Sequence, residues 1–294
     1  MKDQFINPVY VNILYFTDKI KKMNRYPEIL ITGGTSGLGL ELAKVFLNKG
    51  YMVIVMGRNP SRLPKGINNL EFVPVDFMDL ALTAGTAKEM CKNHIFDIII
   101  NNAGILSPPS LTTTMDNLEV TFQVNYLAQH VVNEIIINSK PADRKLRIFS
   151  VTSPVYKIAD RNLDIPGVTC NYNLLNSYSS SKLFLLLMNN HLSEKYHLEN
   201  VSCFGLNPGV FRSGIKRTRK IIFRSLYDVA APFMKNPARI AGIFSEIIDD
   251  EGIENGVIFD KRLNKTIAPE IKSDILNGFL ERIYDLISQY TGKH

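Results

Sequence analysis

Cysteine is scarce in this 294-residue chain, and the three present, Cys91, Cys170 and Cys203, form no close pair. An odd, scattered set excludes a disulfide framework and a Cys-x-x-Cys metal site, and makes a reducing compartment, the cytoplasm, the expected location. The five histidines, His94, His130, His191, His197 and His294, lack His-Glu-x-x-His or comparable ligand spacing, so no metal is expected. No apolar run approaches the roughly 18 residues a bilayer span needs. Neither sign of charge dominates. The 34 basic and 28 acidic residues leave +6, too mild to identify a nucleic-acid binder, and no nucleic-acid partner is expected.

There is also no hinge, repeat or low-complexity tract to divide the chain. What is there is a globular balance, 45% hydrophobic and 21% charged. From Glu28 onward, short apolar, β-branched runs alternate with longer helical ones: Ile29–Ile31, Tyr51–Met56, Leu70–Val75, Phe96–Ile100, Leu146–Val151, Val201–Leu206 and a weaker Gly256–Phe259. Continuous apolar strands separated by helices imply a parallel sheet covered on both faces. Residues 27–294 are therefore expected to form one α/β domain with a doubly wound sheet. Residues 1–26 are an N-terminal extension. Its apolar stretch, Val9 to Phe16, is followed rather than led by Lys19, Lys21, Lys22 and Arg25, the reverse of a secretory signal. Such a segment either lies on the body of the protein or meets a membrane surface.

In doubly wound sheets ligands sit at the carboxyl ends of the strands. The first strand meets Thr32-Gly33-Gly34-Thr35-Ser36-Gly37-Leu38-Gly39, after which a helix starts near Leu40. Glycines here let the backbone approach a pyrophosphate, which rests on the free N–H groups of the helix N-terminus. Gly33, Thr35, Ser36, Gly37, Leu38 and Gly39 are the candidate cradle. The second strand ends at Gly57-Arg58. A carboxylate for a ribose 2′-hydroxyl is missing there, and Arg58 suits a 2′-phosphate, so NADP(H) is preferred over NAD. Asp76, after the third strand, contacts an adenine edge or caps the next helix. Asn102, Ala103 and Gly104, after the fourth, let backbone lie against a flat ligand or brace a turn.

Tyr178 and Lys182 stand four apart, on one helical face. A phenol titrates near 10, and a neighbouring cation favours its charged form. Ser153, after the fifth strand, is placed to donate to a carbonyl oxygen. Asn125 sits in a helical stretch where Asn is a mediocre former, as expected of a side chain with a hydrogen-bonding task.

In order and spacing, Thr32-Gly33-x-x-x-Gly37-x-Gly39, Asn101-Asn102-Ala103-Gly104, Asn125, Ser153, Tyr178-x-x-x-Lys182 and Asn207-Pro208-Gly209 resemble the short-chain dehydrogenase/reductase family, closest to its retinol-dehydrogenase-like and carbonyl-reductase-like branch. The resemblance runs from about Tyr26 to Glu270. It implies a Rossmann-type fold with Tyr178 as acid/base. Lys182 would lower the Tyr178 pKa and hold the nicotinamide ribose, Ser153 would position the carbonyl, and Asn125 would support a proton relay. Pro208, Gly209, Val210 and Ser213 would flank the nicotinamide. Ser153 and Tyr178 are 25 residues apart, a long separation for the family, and Pro154 follows the serine directly.

Residues 212–236 would then be the substrate lid. Within 215–227, basic residues alternate with Ile221, Ile222, Phe223, Leu226 and Tyr227, as in a flap over an apolar ligand or on an anionic membrane. The resulting expectation is an NADP(H)-dependent oxidoreductase interconverting an apolar aldehyde or ketone and its alcohol. Peripheral membrane contact through 9–25 and 215–227, and a homodimer cored on the Tyr178 helix, are also expected. The alternative is a catalytically silent NADP-binding sensor of the same fold.

Overall fold

The computed structural model describes residues 25–166, 171–209 and 236–292. The readings on 9–24, Val210, Ser213 and 215–227, and the lid up to residue 235, lie outside the described residues.

The apolar runs form strands because side chains on both faces of each run find a hydrophobic layer. Seven parallel strands, β1 (Glu28–Thr32), β2 (Met52–Gly57), β3 (Leu70–Pro74), β4 (Ile98–Asn101), β5 (Leu146–Val151), β6 (Val201–Asn207) and β7 (Ile258–Asp260), lie in the order β3-β2-β1-β4-β5-β6-β7. A short β8 (Lys265–Thr266) adds antiparallel to β7. Along β1, Leu30 faces one layer with Ile54 and Ile99, whereas Ile29 and Ile31 face the other with Val53, Val55, Ile98 and Ile100. The second layer is covered by α1 (Gly37–Asn48) and α5 (Pro237–Asp249). The first is covered by α2 (Leu80–Asn93), the helical run α3 from Val120 to Ser139, α4 (Leu174–Lys195) and α6 (Ser273–Thr291). Strand order reverses between β1 and β4, which opens the crevice used by ligands in this architecture.

Three features depart from the sequence reading. No helix joins β2 to β3 across residues 58–69, where Pro60, Pro64 and Gly66 break helical geometry. The helix α1 begins earlier than expected, at Gly37 rather than near Leu40. Gly37 and Gly39 therefore lie inside the first turn of α1, and Tyr178 lies in the second turn of α4, behind an Asn173 cap whose Oδ1 accepts from Leu175 N and Asn176 N. Finally, α6 seals α3 and α4 from outside. Its Phe279 ring lies 4.6 Å from Phe184 and 6.0 Å from Tyr126. Tyr284 OH donates to Glu134 at 2.6 Å, where Tyr196 OH (2.6 Å) and Lys195 Nζ (3.1 Å) converge. The Tyr178-bearing helix, expected at the core of a dimer, is thus backed by the chain's own C-terminal helix.

Candidate active site

The glycine loop is held from below by Thr32. Its buried Oγ1 accepts Asn102 N and Ala103 N, both at 3.0 Å, and donates to Gln129 Oε1 at 2.7 Å. Asn102 Nδ2 in turn donates to Thr32 O (3.0 Å) and Gly33 O (3.1 Å). Asn102 therefore braces the loop, the second of the two readings open for it. Gly33 has φ +64°, and a Cβ there would come within 2.7 Å of Ala103 Cα. A Cβ on Gly39 would meet Asn102 Nδ2 at 2.3 Å. These two positions need glycine because the β4 turn lies directly against the loop.

Ser36 is the N-cap of α1, yet its side chain makes no cap hydrogen bond, and the first turn carries no acid. The N–H groups of that turn thus lack a side-chain partner and, with the helix dipole, suit an anionic pyrophosphate. Thr35 lies over Gly57, within 3.4 Å of the position a Cβ would take there, so the loop meets the end of β2. Arg58 follows, exposed, with no carboxylate at that corner. Asp76 does not cap α2. Its Oδ1 accepts Met78 N at 3.1 Å within the turn, and Asp79 is the cap, accepting Leu82 N at 2.8 Å. The cap must precede the first helical residue, Leu80, and Asp76 stands too far upstream. Together the residues fit a dinucleotide whose pyrophosphate rests on the start of α1.

Asn125, Ser153, Tyr178 and Lys182 come together at the carboxyl edge. The α3 run is interrupted by a π turn, Gln123–Leu127, that contains Asn125. This refines the plain helix expected there. Gln129 Nε2 bonds Val124 O in that turn at 3.1 Å, so the side chain that anchors Thr32 also steadies the bulge. Asn125 Oδ1 accepts Ile105 N at 2.7 Å, and Nδ2 donates to Ile105 O (3.0 Å) and Ser181 Oγ (3.1 Å). Gly104 places Asn125 beside the lysine: a Cβ on it would lie 3.3 Å from Asn125 Oδ1 and 3.4 Å from Lys182 Nζ. Ser153 precedes a 3₁₀ turn, Pro154–Ile158, in which Pro154 occupies the first position, a place proline favours.

Burial pushes the Tyr178 phenol up to about 12, and the nearby Ser153 hydroxyl, which lowers it, only partly offsets this. Lys182 Nζ donates to Val151 O at 3.1 Å and lies 5.9 Å from the Tyr178 ring centroid. Burial brings the Lys182 ammonium down to about 8. The expected lowering of the phenol by its neighbouring cation is therefore not what this pocket does: desolvation acts on both groups and dominates. On the β6 side, buried Pro208 precedes Gly209, whose N–H donates to Asn207 Oδ1 at 3.0 Å. Among the described residues, no cluster of three or more His, Cys, Asp or Glu could hold a metal ion. In the sequence Thr32 stands out only as part of a motif and nothing marks Gln129, because a contact across 97 positions leaves no local pattern.

A doubly wound sheet with an uncapped glycine-rich helix start and a Tyr–Lys helix at its carboxyl edge defines a dinucleotide-dependent oxidoreductase scaffold. The chain belongs to the short-chain dehydrogenase family, described as short chain dehydrogenase, whose profile matches residues 27–221. It is 28% identical over 235 residues to human retinol dehydrogenase 14, covering 71% of this chain and 70% of that protein. Human polyprenol dehydrogenase is 26% identical over 202 residues, 63% of this chain and 61% of that protein. Among solved structures, 4-hydroxyisoleucine dehydrogenase complexed with NADH aligns at TM-score 0.64 and 20% identity, covering 80% of this chain and 96% of that one. A serine dehydrogenase complexed with NADP+ aligns at 0.60 and 18%, covering 76% and 89%. Both likenesses are of fold.

Proposed function

We propose that this protein is an NADP(H)-dependent oxidoreductase that interconverts an aldehyde or ketone of apolar character and its alcohol, working chiefly as a reductase. The observation that carries this reading is the convergence of Ser153, Tyr178, Lys182 and Asn125 at the carboxyl edge, beside an uncapped helix start. When bound, the nicotinamide supplies the hydride. The protein's own residues supply position and the proton. Tyr178, held protonated well above neutral pH by burial, is a donor to a carbonyl oxygen rather than a base. Ser153 donates to the same oxygen. Lys182 and Asn125, both beside Gly104, hold the ribose side and the path by which Tyr178 is reprotonated. Arg58 favours the 2′-phosphate over a bare ribose. The relatives whose names specify a retinol or a polyprenol support an apolar substrate.

The test is a panel of aldehydes and ketones with NADPH oxidation as readout, repeated with NADH. Turnover with NADPH and an apolar carbonyl is expected. Absence of turnover with every member ends the proposal, and NADPH binding under those conditions points to the silent sensor instead.

A further inference from the structure

The π turn that carries Asn125 deprives one carbonyl of its helical donor. In a regular helix Val124 O accepts from Ala128 N, but that N–H reaches one residue further back, to Gln123 O. Val124 is buried, so its oxygen needs another donor. Gln129 Nε2 supplies it at 3.1 Å. Val124 O belongs to the peptide unit that ends on Asn125 N, so this bond fixes the plane from which Asn125 departs.

The other end of the same amide reaches the cofactor loop. Thr32 Oγ1 accepts from Asn102 N and Ala103 N, which occupies both lone pairs and leaves only its proton for a third partner. That partner must be an acceptor, and Gln129 Oε1 lies at 2.7 Å. The amide orientation follows, oxygen toward Thr32 and nitrogen toward Val124. Further bonds close a circuit. Asn125 Oδ1 and Nδ2 hold Ile105 N and O, and Ile105 follows Ala103-Gly104, where Ala103 N returns to Thr32. Thr32, Asn125 and Gln129 are all at 0% exposure. At that depth Gln129 cannot touch substrate or nicotinamide, and it acts only through the residues it holds. Its two ends are not equally replaceable. Thr32 Oγ1 has a second acceptor in Ile100 O at 3.4 Å, whereas Val124 O has given up its helical donor.

We infer that Gln129 is a positioning residue for the proposed carbonyl reduction. It holds Asn125 beside Lys182 by pinning the carbonyl that the π turn releases, and it ties that turn to the floor of the cofactor loop. The inference rests on the functional reading above. Because Thr32 keeps an alternative acceptor, loss of the amide disturbs Asn125 more than the loop.

Two variants test it. Gln129→Met keeps the length of the side chain without either polar atom. Its kcat is expected to fall roughly tenfold to a hundredfold, while its NADPH Kd, read by fluorescence titration, stays within about threefold of wild type. Gln129→Glu is the conservative rescue. Protonated, its carboxyl accepts from Thr32 and donates to Val124 O, whereas ionised it can only accept. Burial raises the pKa of a carboxyl, so the ratio of its kcat to that of wild type is expected to fall at least about fivefold from about pH 5 to about pH 8. Asn133→Leu, which alters another buried amide one turn along α3, is expected to keep the wild-type kcat. Hydrogen exchange over residues 122–128, without cofactor or substrate, is expected to be severalfold faster in Gln129→Met. That readout does not depend on turnover, so an inactive wild type ends the reductase proposal and leaves exchange to decide this one. If Gln129→Met does not fold, the pH dependence of Gln129→Glu decides. The inference is overturned if Gln129→Met keeps wild-type kcat or wild-type exchange, if its kcat and NADPH affinity fall equally, or if the Gln129→Glu ratio is flat with pH.

Discussion

Replacing Lys182 with methionine is expected to stabilise the protein while abolishing turnover. The side chain is 5% exposed, and burial lowers its ammonium from 10.5 to about 8. At about 1.4 kcal/mol per unit, holding that charge in the folded state costs about 3 kcal/mol at neutral pH. Methionine fills similar volume without a charge, but Val151 O loses the donor 3.1 Å away, which costs about 1–2 kcal/mol. The net expectation is a gain of about 1–2 kcal/mol at pH 7, read by urea titration of both proteins. The sign with pH is fixed by linkage. Between about 8 and 10.5 the unfolded wild-type chain keeps a proton the folded one has released, so wild-type stability rises with pH. The advantage of Lys182→Met should therefore shrink by about 1.4 kcal/mol per pH unit above 8. A variant less stable than wild type at pH 7, or a difference equal at pH 7 and pH 9, refutes the reasoning.

Thr32→Val removes the acceptor of two N–H groups, one buried and one half-buried, and should cost about 2–3 kcal/mol by denaturant titration. Arg58→Asp should weaken NADPH binding roughly tenfold to a hundredfold and improve NADH binding, as measured by fluorescence titration. Burial alone would raise the Glu134 carboxyl. His130, Tyr196 and Tyr284 more than offset this and hold it well below the usual range. Its folded pKa is depressed, so its contribution is present above the unfolded value near 4.5 and is lost as pH falls. Glu134→Gln should accordingly cost about 2–4 kcal/mol at pH 7, and the gap from wild type should hold down to about pH 5 and narrow from there toward about pH 3 in thermal unfolding.

The sheet was legible because each strand writes its burial locally: Ile29–Ile31 and Ile98–Ile100 are unbroken apolar runs, and they pair as β1 and β4. The site residues on short motifs were legible for the same reason. What stayed hidden is set by distance. Gln129 holds Thr32 from 97 positions away, and Tyr284 holds Glu134 from 150. No window of sequence contains both partners. The π turn at Asn125 is also silent, because no residue type marks the i→i−5 bond from Ala128 N to Gln123 O. Pro60, Pro64 and Gly66 mark the β2–β3 connection as non-helical, against the helical rhythm of the neighbouring units. The pKa expectation for Tyr178 failed on depth of burial, which spacing of four does not report.

The central claim is that Tyr178 delivers the proton in an NADPH-dependent carbonyl reduction. Its most direct test compares wild type with Tyr178→Phe, measuring both NADPH binding and steady-state reduction of the best aldehyde or ketone. NADPH affinity is expected to be unchanged and kcat to fall by roughly 10²–10⁴, since only the proton donor is removed. Equal turnover by the two proteins would contradict it.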